Sequence, residues 1–167
     1  MATLDTRFIP AEFDATIWSH IEPLFEVLLS RSVDSADAFE AWLTDRSELE
    51  AACNEAEANL YISMTCDTED KEAAGAFTAY IEEIAPKIKP LAFELDKKQA
   101  KLFGGFEMPS ERYEVLSRAT KAAVELFRKA NVPLQTDLEK LTQQYQTVTG
   151  AMTVEFDGEE RTMPQMG

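Results

Sequence analysis

The chain has 167 residues, 45% of them apolar and 10% aromatic, which is ordinary for a globular protein and enough for one domain with a real core. Asp and Glu number 31 against 16 Lys and Arg, a formal charge of -15 that repels phosphate backbones and anionic membrane faces, so nucleic acid and lipid are excluded as expected partners. No window approaches the roughly 18 apolar residues that a membrane span needs, and the opening residues lack the charged and apolar regions of a signal peptide, so a cytoplasmic location is expected.

Asp14 is placed to cap a first helix, in which Ile17, Ile21, Leu24 and Leu28 recur at helical spacing. Pro23 interrupts that run, so the helix either kinks there or has its main body starting near Ile21. Ser35 opens a short helix carrying Phe39, Trp42 and Leu43. Asp45-Arg46-Ser47-Glu48 then has the spacing of a capping box and predicts a second start. From Leu49 the residues Ala52, Cys53, Ala56, Leu60 and Met64 mark one face, with Glu48, Glu50, Glu55 and Glu57 turned to water, and the helix ends near Cys66. Cys53 and Cys66 share this helix about 20 Å apart, too far for a disulfide, and are expected as free buried thiols.

A polar break at Asp67-Thr68-Glu69-Asp70 precedes a long pattern in which Phe77, Ile81, Ile84, Ile88, Leu91 and Leu95 repeat at steps of three and four. Pro86 and Pro90 lie inside it and predict a bend, or two helices in succession. Gly104-Gly105 breaks the chain. Pro109-Ser110 starts another helix, with Tyr113, Leu116, Thr120, Ala123 and Phe127 on its buried side and an end near Asn131. Thr136-Asp137-Leu138-Glu139 is a full capping box, followed by Leu141, Tyr145 and Val148 at heptad-like spacing from Leu138, and Gly150 closes that helix.

Past Gly150 the period changes to two. Met152, Val154 and Phe156 alternate with polar residues, Asp157-Gly158 supplies a two-residue turn, and Glu159 to Met163 returns as the second strand. The expected fold is therefore all-α over 1–150, with a β-hairpin near 152–163 inside a junction segment 151–167. A lone hairpin is marginal in water and needs a surface to pack on, so the polypeptide is expected to continue beyond Gly167.

The chemistry available is narrow. His20 is the single histidine, so neither a zinc site with two histidines nor a di-iron Glu-x-x-His set can be assembled, and His20 itself is expected to be structural or exposed. Glu82-Glu83 and Glu159-Glu160 are adjacent pairs that diverge on a helix or strand and make no ready catalytic dyad. Gly104-Gly105 lacks the following Lys-Ser or Lys-Thr of a phosphate loop. Lys87, Lys89, Lys97, Lys98 and Lys101, mixed with Glu94 and Asp96, read as an ordinary exposed face. No catalytic, cofactor-binding or metal-ligating residue is assigned.

Several stretches in order nevertheless carry a resemblance: Arg46-Ser47-Glu48-Leu49, Tyr61-Ile62-Ser63-Met64-Thr65-Cys66-Asp67-Thr68, Pro86-Lys87-Ile88-Lys89-Pro90-Leu91, Glu125-Leu126-Phe127-Arg128, and Gly150-Ala151-Met152-Thr153-Val154-Glu155-Phe156-Asp157-Gly158. Together they resemble the N-terminal region of bacterial M3-family oligoendopeptidases. The resemblance implies a largely helical part of a zinc metallopeptidase that cuts short peptides. It further implies that the zinc is held by a His-Glu-x-x-His helix and a later glutamate, which these residues lack, in a catalytic domain that would be this segment's partner. The implied role is lid and channel wall, with short peptides as substrates and no cofactor held by the segment itself. The competing reading is a free-standing acidic helical bundle that binds a protein or peptide, in which Met152, Val154 and Phe156 should pack internally. An enzyme working through carboxylates alone is a third reading that no spacing favours.

Overall fold

The computed structural model describes residues 7–67 and 70–162. It is a helical fold with a C-terminal antiparallel hairpin, as the periodicity predicts. The elements are α1 (Trp18–Ser30), α2 (Ala36–Cys66), α3 (Lys71–Ala79), a π-helical turn (Tyr80–Ile84), α4 (Ala85–Gly105), α5 (Ser110–Leu126), α6 (Asn131–Gly150), β1 (Thr153–Phe156) and β2 (Glu159–Thr162). None of the described helices is long and apolar enough to cross a membrane. Thr68, Glu69, the Met163 end of the expected second strand and the tail 164–167 lie outside the described residues.

Two compact units result. The first joins the described residues up to Ala56 with Lys87–Lys129, and the second joins Glu57–Pro86 with the chain from Ala130 onward. In the first, Ile21, Phe25 and Leu28 of α1 recur at steps of four and three and are fully buried, as are Phe39, Trp42 and Leu49 of α2 and Leu95 of α4. Burying each of these side chains contributes about 1.5–3 kcal/mol. The Trp42 indole donates to the Leu28 carbonyl at 2.9 Å, and the Phe39 ring meets Phe103 edge-on with centroids 4.9 Å apart.

Several expected boundaries shift, each for a local reason. α1 starts at Trp18 and carries Pro23 in its second turn. Asp14 does not cap it; its carboxylate instead accepts from the Thr16 backbone N–H at 2.8 Å and hydroxyl at 2.7 Å. Ser35 does cap α2, accepting from the Ala38 N–H at 3.1 Å. The predicted second start at Asp45 is absent because α2 runs unbroken for 31 residues. The box residues are used in tertiary contacts: Asp45 pairs with Arg31, and Glu48, expected to face water, accepts from the backbone of Phe8 and Ile9. Asp70 caps α3 through the N–H groups of Glu72 and Ala73.

Where a bend was expected at Pro86 the structure has a π-helical turn, while Pro90 lies inside α4. The Ala85 N–H reaches back five residues to the Tyr80 carbonyl. A proline at position 86 has no N–H for the Glu82 carbonyl and its ring would strike that carbonyl in a regular α-turn, so the wider turn forms where the conflict lies. α6 starts at Asn131 rather than at Thr136, because Pro133 is tolerated in a first turn, and the Thr136 hydroxyl donates back to the Val132 carbonyl inside the helix. The hairpin pairs Thr153 with Thr162 and Phe156 with Glu159. Its turn sets φ at 56° for Asp157 and 77° for Gly158, the left-handed conformation that this dipeptide supplies.

Candidate functional site

Chemistry-bearing side chains are dispersed. Among the described residues no group of three or more His, Cys, Asp or Glu side chains converges to hold a metal ion. His20 is exposed, and its Nδ1 accepts from the Asp14 N–H at 3.2 Å. Glu82 forms an ion pair with Lys140, while Glu83 next to it is exposed. Glu159 pairs with Arg161 at 2.8 Å and Glu160 accepts from the Thr153 hydroxyl at 2.5 Å, so each adjacent carboxylate pair is split. Cys53 is buried as expected, but Cys66, the last residue of α2, is exposed.

Two basic residues have roles that an exposed face does not describe. Lys98 is part-buried and donates to the carbonyls of Leu28, Leu29 and Arg31 at 2.7, 3.0 and 2.6 Å, closing the C-terminal end of α1. Burial and the nearby Arg31 guanidinium lower its pKa below the ordinary lysine value. Arg46 of α2 is buried. Its guanidinium donates to Asp96 at 2.7 Å and Gln99 at 2.8 Å, both on α4, and to Glu50 at 2.8 Å. Gln99 in turn donates to the Thr120 hydroxyl of α5 at 2.6 Å, and that hydroxyl donates to the Leu116 carbonyl. The chain of bonds ties three helices together beside a cavity of about 310 Å³. Leu116 and Ala123, expected on the buried side of α5, line that cavity and are exposed.

A larger groove of about 640 Å³ runs along α5 in the first unit. Phe103 and Phe106 from the end of α4 and Tyr113 of α5 supply apolar surface, while Ser117, Arg118 and Lys121 stand along the wall. The Tyr113 hydroxyl is engaged elsewhere, donating to Glu40 at 2.8 Å; burial and this carboxylate raise its pKa.

In the second unit, α6 is amphipathic the wrong way round for a lone domain. Val132 is its buried apolar residue, and further along its inward contacts are polar: Gln143 meets the Thr78 hydroxyl at 3.0 Å, Gln146 donates to the Tyr61 hydroxyl at 2.7 Å, and Lys140 pairs with Glu82. Its outward residues Leu134, Leu138, Leu141, Tyr145 and Val148, continued by Met152 and Phe156, are all between 55% and 68% exposed. Steps of four and three along this ridge are those of a helix-packing seam. Sequence periodicity finds such a stripe but not the side of the helix that faces the domain. The groove and the Arg46 network had no sequence signal, because their members lie on different helices.

The Peptidase M3 N-terminal domain family matches residues 8–101, more than half of the chain and the stretch holding α1 to most of α4. No curated protein matches, and no solved structure does. A helical fold with this match makes the chain the N-terminal part of a peptidase. It belongs to the M3 peptidase N-terminal domain family.

Proposed function

We propose that this chain is the lid and channel-wall part of a zinc-dependent oligoendopeptidase that hydrolyses short peptides in the cytoplasm. The family match supports the reading, and the observation that carries it furthest is the outward apolar ridge of α6 and the hairpin. Five large apolar side chains in helix-packing register on α6, continued by Met152 and Phe156, cost free energy in water and are stabilised when another apolar surface covers them. The catalytic part of the same enzyme is the natural cover. In the competing reading, a self-sufficient binding bundle, Met152, Val154 and Phe156 pack internally; here all three are exposed.

The zinc ion does not fit the described residues, whose carboxylates are split and whose single histidine is tied to Asp14. We assign no chemical step to the described residues. It shapes the approach: helices packed beside a catalytic centre narrow the entrance, exclude water and hold an extended peptide in one orientation. A helical wall of this kind passes a flexible peptide and stops a folded protein.

The test is a size series. The product of the whole coding frame is offered quenched fluorescent peptides of increasing length and a folded protein of similar sequence content. The proposal expects the rate to fall steeply above a limiting length and to vanish for the folded substrate. Equal cleavage of folded protein and short peptide would contradict a channel.

A further inference from the structure

We propose that α6 binds α6 of a second copy of this chain, antiparallel along its outward ridge, so that the 167-residue chain forms a symmetric dimer. Leu134, Leu138, Leu141, Tyr145 and Val148 step by four, three, four and three, and Met152, four further on, keeps the register just past the end of the helix. All six are between 55% and 68% exposed. Leu138, Tyr145 and Met152 fall at the a positions of a heptad, and Leu134, Leu141 and Val148 at the d positions. An antiparallel pair of helices sets a against d, and one register seats all six residues: Leu134 against the second copy's Met152, Leu138 against its Val148 and Leu141 against its Tyr145. The two-fold axis then passes between Leu141 and Tyr145, and the apolar seam runs for about 27 Å of helix. The same strip of one molecule covers the same strip of the other, as a closed two-fold contact requires.

Charge selects a second copy as the occupant. The chain carries a net charge of -15, so two copies repel unless the strip on which they meet is uncharged. The positions flanking the ridge are Gln135, Asp137, Thr142, Gln144, Thr149 and Ala151, a single acid in a chain that has 31. In the antiparallel register Thr142 meets Thr142 and Gln144 meets Gln144 across the axis, Gln135 meets Thr149, and Asp137 meets Ala151, so no like charges are opposed. A basic partner would find one carboxylate on this rim. The hairpin fixes the direction, because it follows the C-terminal end of α6 with Glu155, Asp157, Glu159 and Glu160 against Arg161. A parallel pair would bring two such acidic ends together; an antiparallel pair sets them apart and places opposite helix dipoles side by side. The proposed catalytic part would take this same ridge, which cannot be covered twice. The dimer is therefore a property of the 167-residue chain and does not depend on the peptidase reading.

The test is the mass of the 167-residue chain by sedimentation equilibrium from about 1 to about 200 μM, the range over which a contact of micromolar Kd fills. The mass is expected to rise from 18.7 kDa to twice that value and stop there. Leu138→Lys with Leu141→Lys leaves a monomer. Thr142→Glu with Gln144→Glu sets like charges across the axis and raises Kd about tenfold in low salt, with recovery as salt is added; circular dichroism checks that both pairs of variants remain helical. In a Cys66→Ser background, nitroxide labels on Thr142→Cys lie about 10 Å apart in the antiparallel pair and broaden the spectrum, whereas labels on Gln135→Cys lie about 24 Å apart or more and do not. A monomer throughout the range, growth beyond two copies, a dimer untouched by the lysine pair or by the glutamate pair, or equal broadening at both labelled positions overturns the pairing. Failure of the peptidase reading shows separately, as absence of peptide cleavage by the whole-frame product, and leaves the sedimentation measurement untouched.

Discussion

Replacing Arg46 with alanine tests how the first unit is held together. The substitution leaves Asp96 and Gln99 without their donors, and Gln99 is almost fully buried. Breaking a buried pair from one side costs about 3–5 kcal/mol, and because Asp96 keeps 23% of its side chain in water the lower end, about 3 kcal/mol, applies here. In a chain of this size each kcal/mol moves the melting temperature by roughly 2–4 °C, giving a fall of roughly 6–12 °C. Urea denaturation followed by circular dichroism reads the same loss as a lower midpoint. The paired substitution Arg46→Leu with Asp96→Leu is expected to recover part of it, since apolar residues replace the ion pair at little net cost while the buried Gln99 oxygen stays without its donor. An Arg46→Ala loss below about 1 kcal/mol, or a double variant as unstable as the single, would refute the reasoning.

Three further outcomes follow from individual contacts. Asp70→Ala removes the two side-chain bonds at the start of α3 and is expected to cost about 1 kcal/mol, measured by urea denaturation. Lysine at both Leu138 and Leu141 is expected to lower binding of a hydrophobic dye and any self-association of the chain, read by fluorescence and light scattering, while leaving helicity unchanged. The Asp14 carboxylate is held below its ordinary pKa by the Thr16 hydroxyl and then by the Thr16 N–H. Its contribution is therefore present above the ordinary carboxylate pKa and is lost as pH falls through the lowered one, which the Thr16 amide shift in an NMR titration should follow.

The helices and the hairpin were legible because their signals are local: apolar steps of three and four, a change to period two after Gly150, and Asp157-Gly158 as the turn. Capping patterns were a weaker guide. Asp45 to Glu48 and Thr136 to Glu139 have the right spacing, yet good helix formers precede the first, and Pro133 already starts a helix before the second. The π-helical turn answers a clash at Pro86 that sequence flags only as a bend. Lys98 and Arg46 look like surface charges in one dimension. Their partners on other helices lie 50 or more positions away, and only packing reveals them. The α6 ridge is the sharpest case, since its heptad spacing was plain and its outward direction was not.

The central claim, that this chain is the non-catalytic front of a zinc peptidase, is tested most directly by hydrolysis of one quenched fluorescent short peptide. The 167-residue chain and the product read to the natural stop codon are compared side by side, with and without a chelator. Cleavage by the longer product alone, lost with chelator and restored by zinc, is the predicted result. A natural stop at Gly167 with no cleavage by any form would contradict the claim.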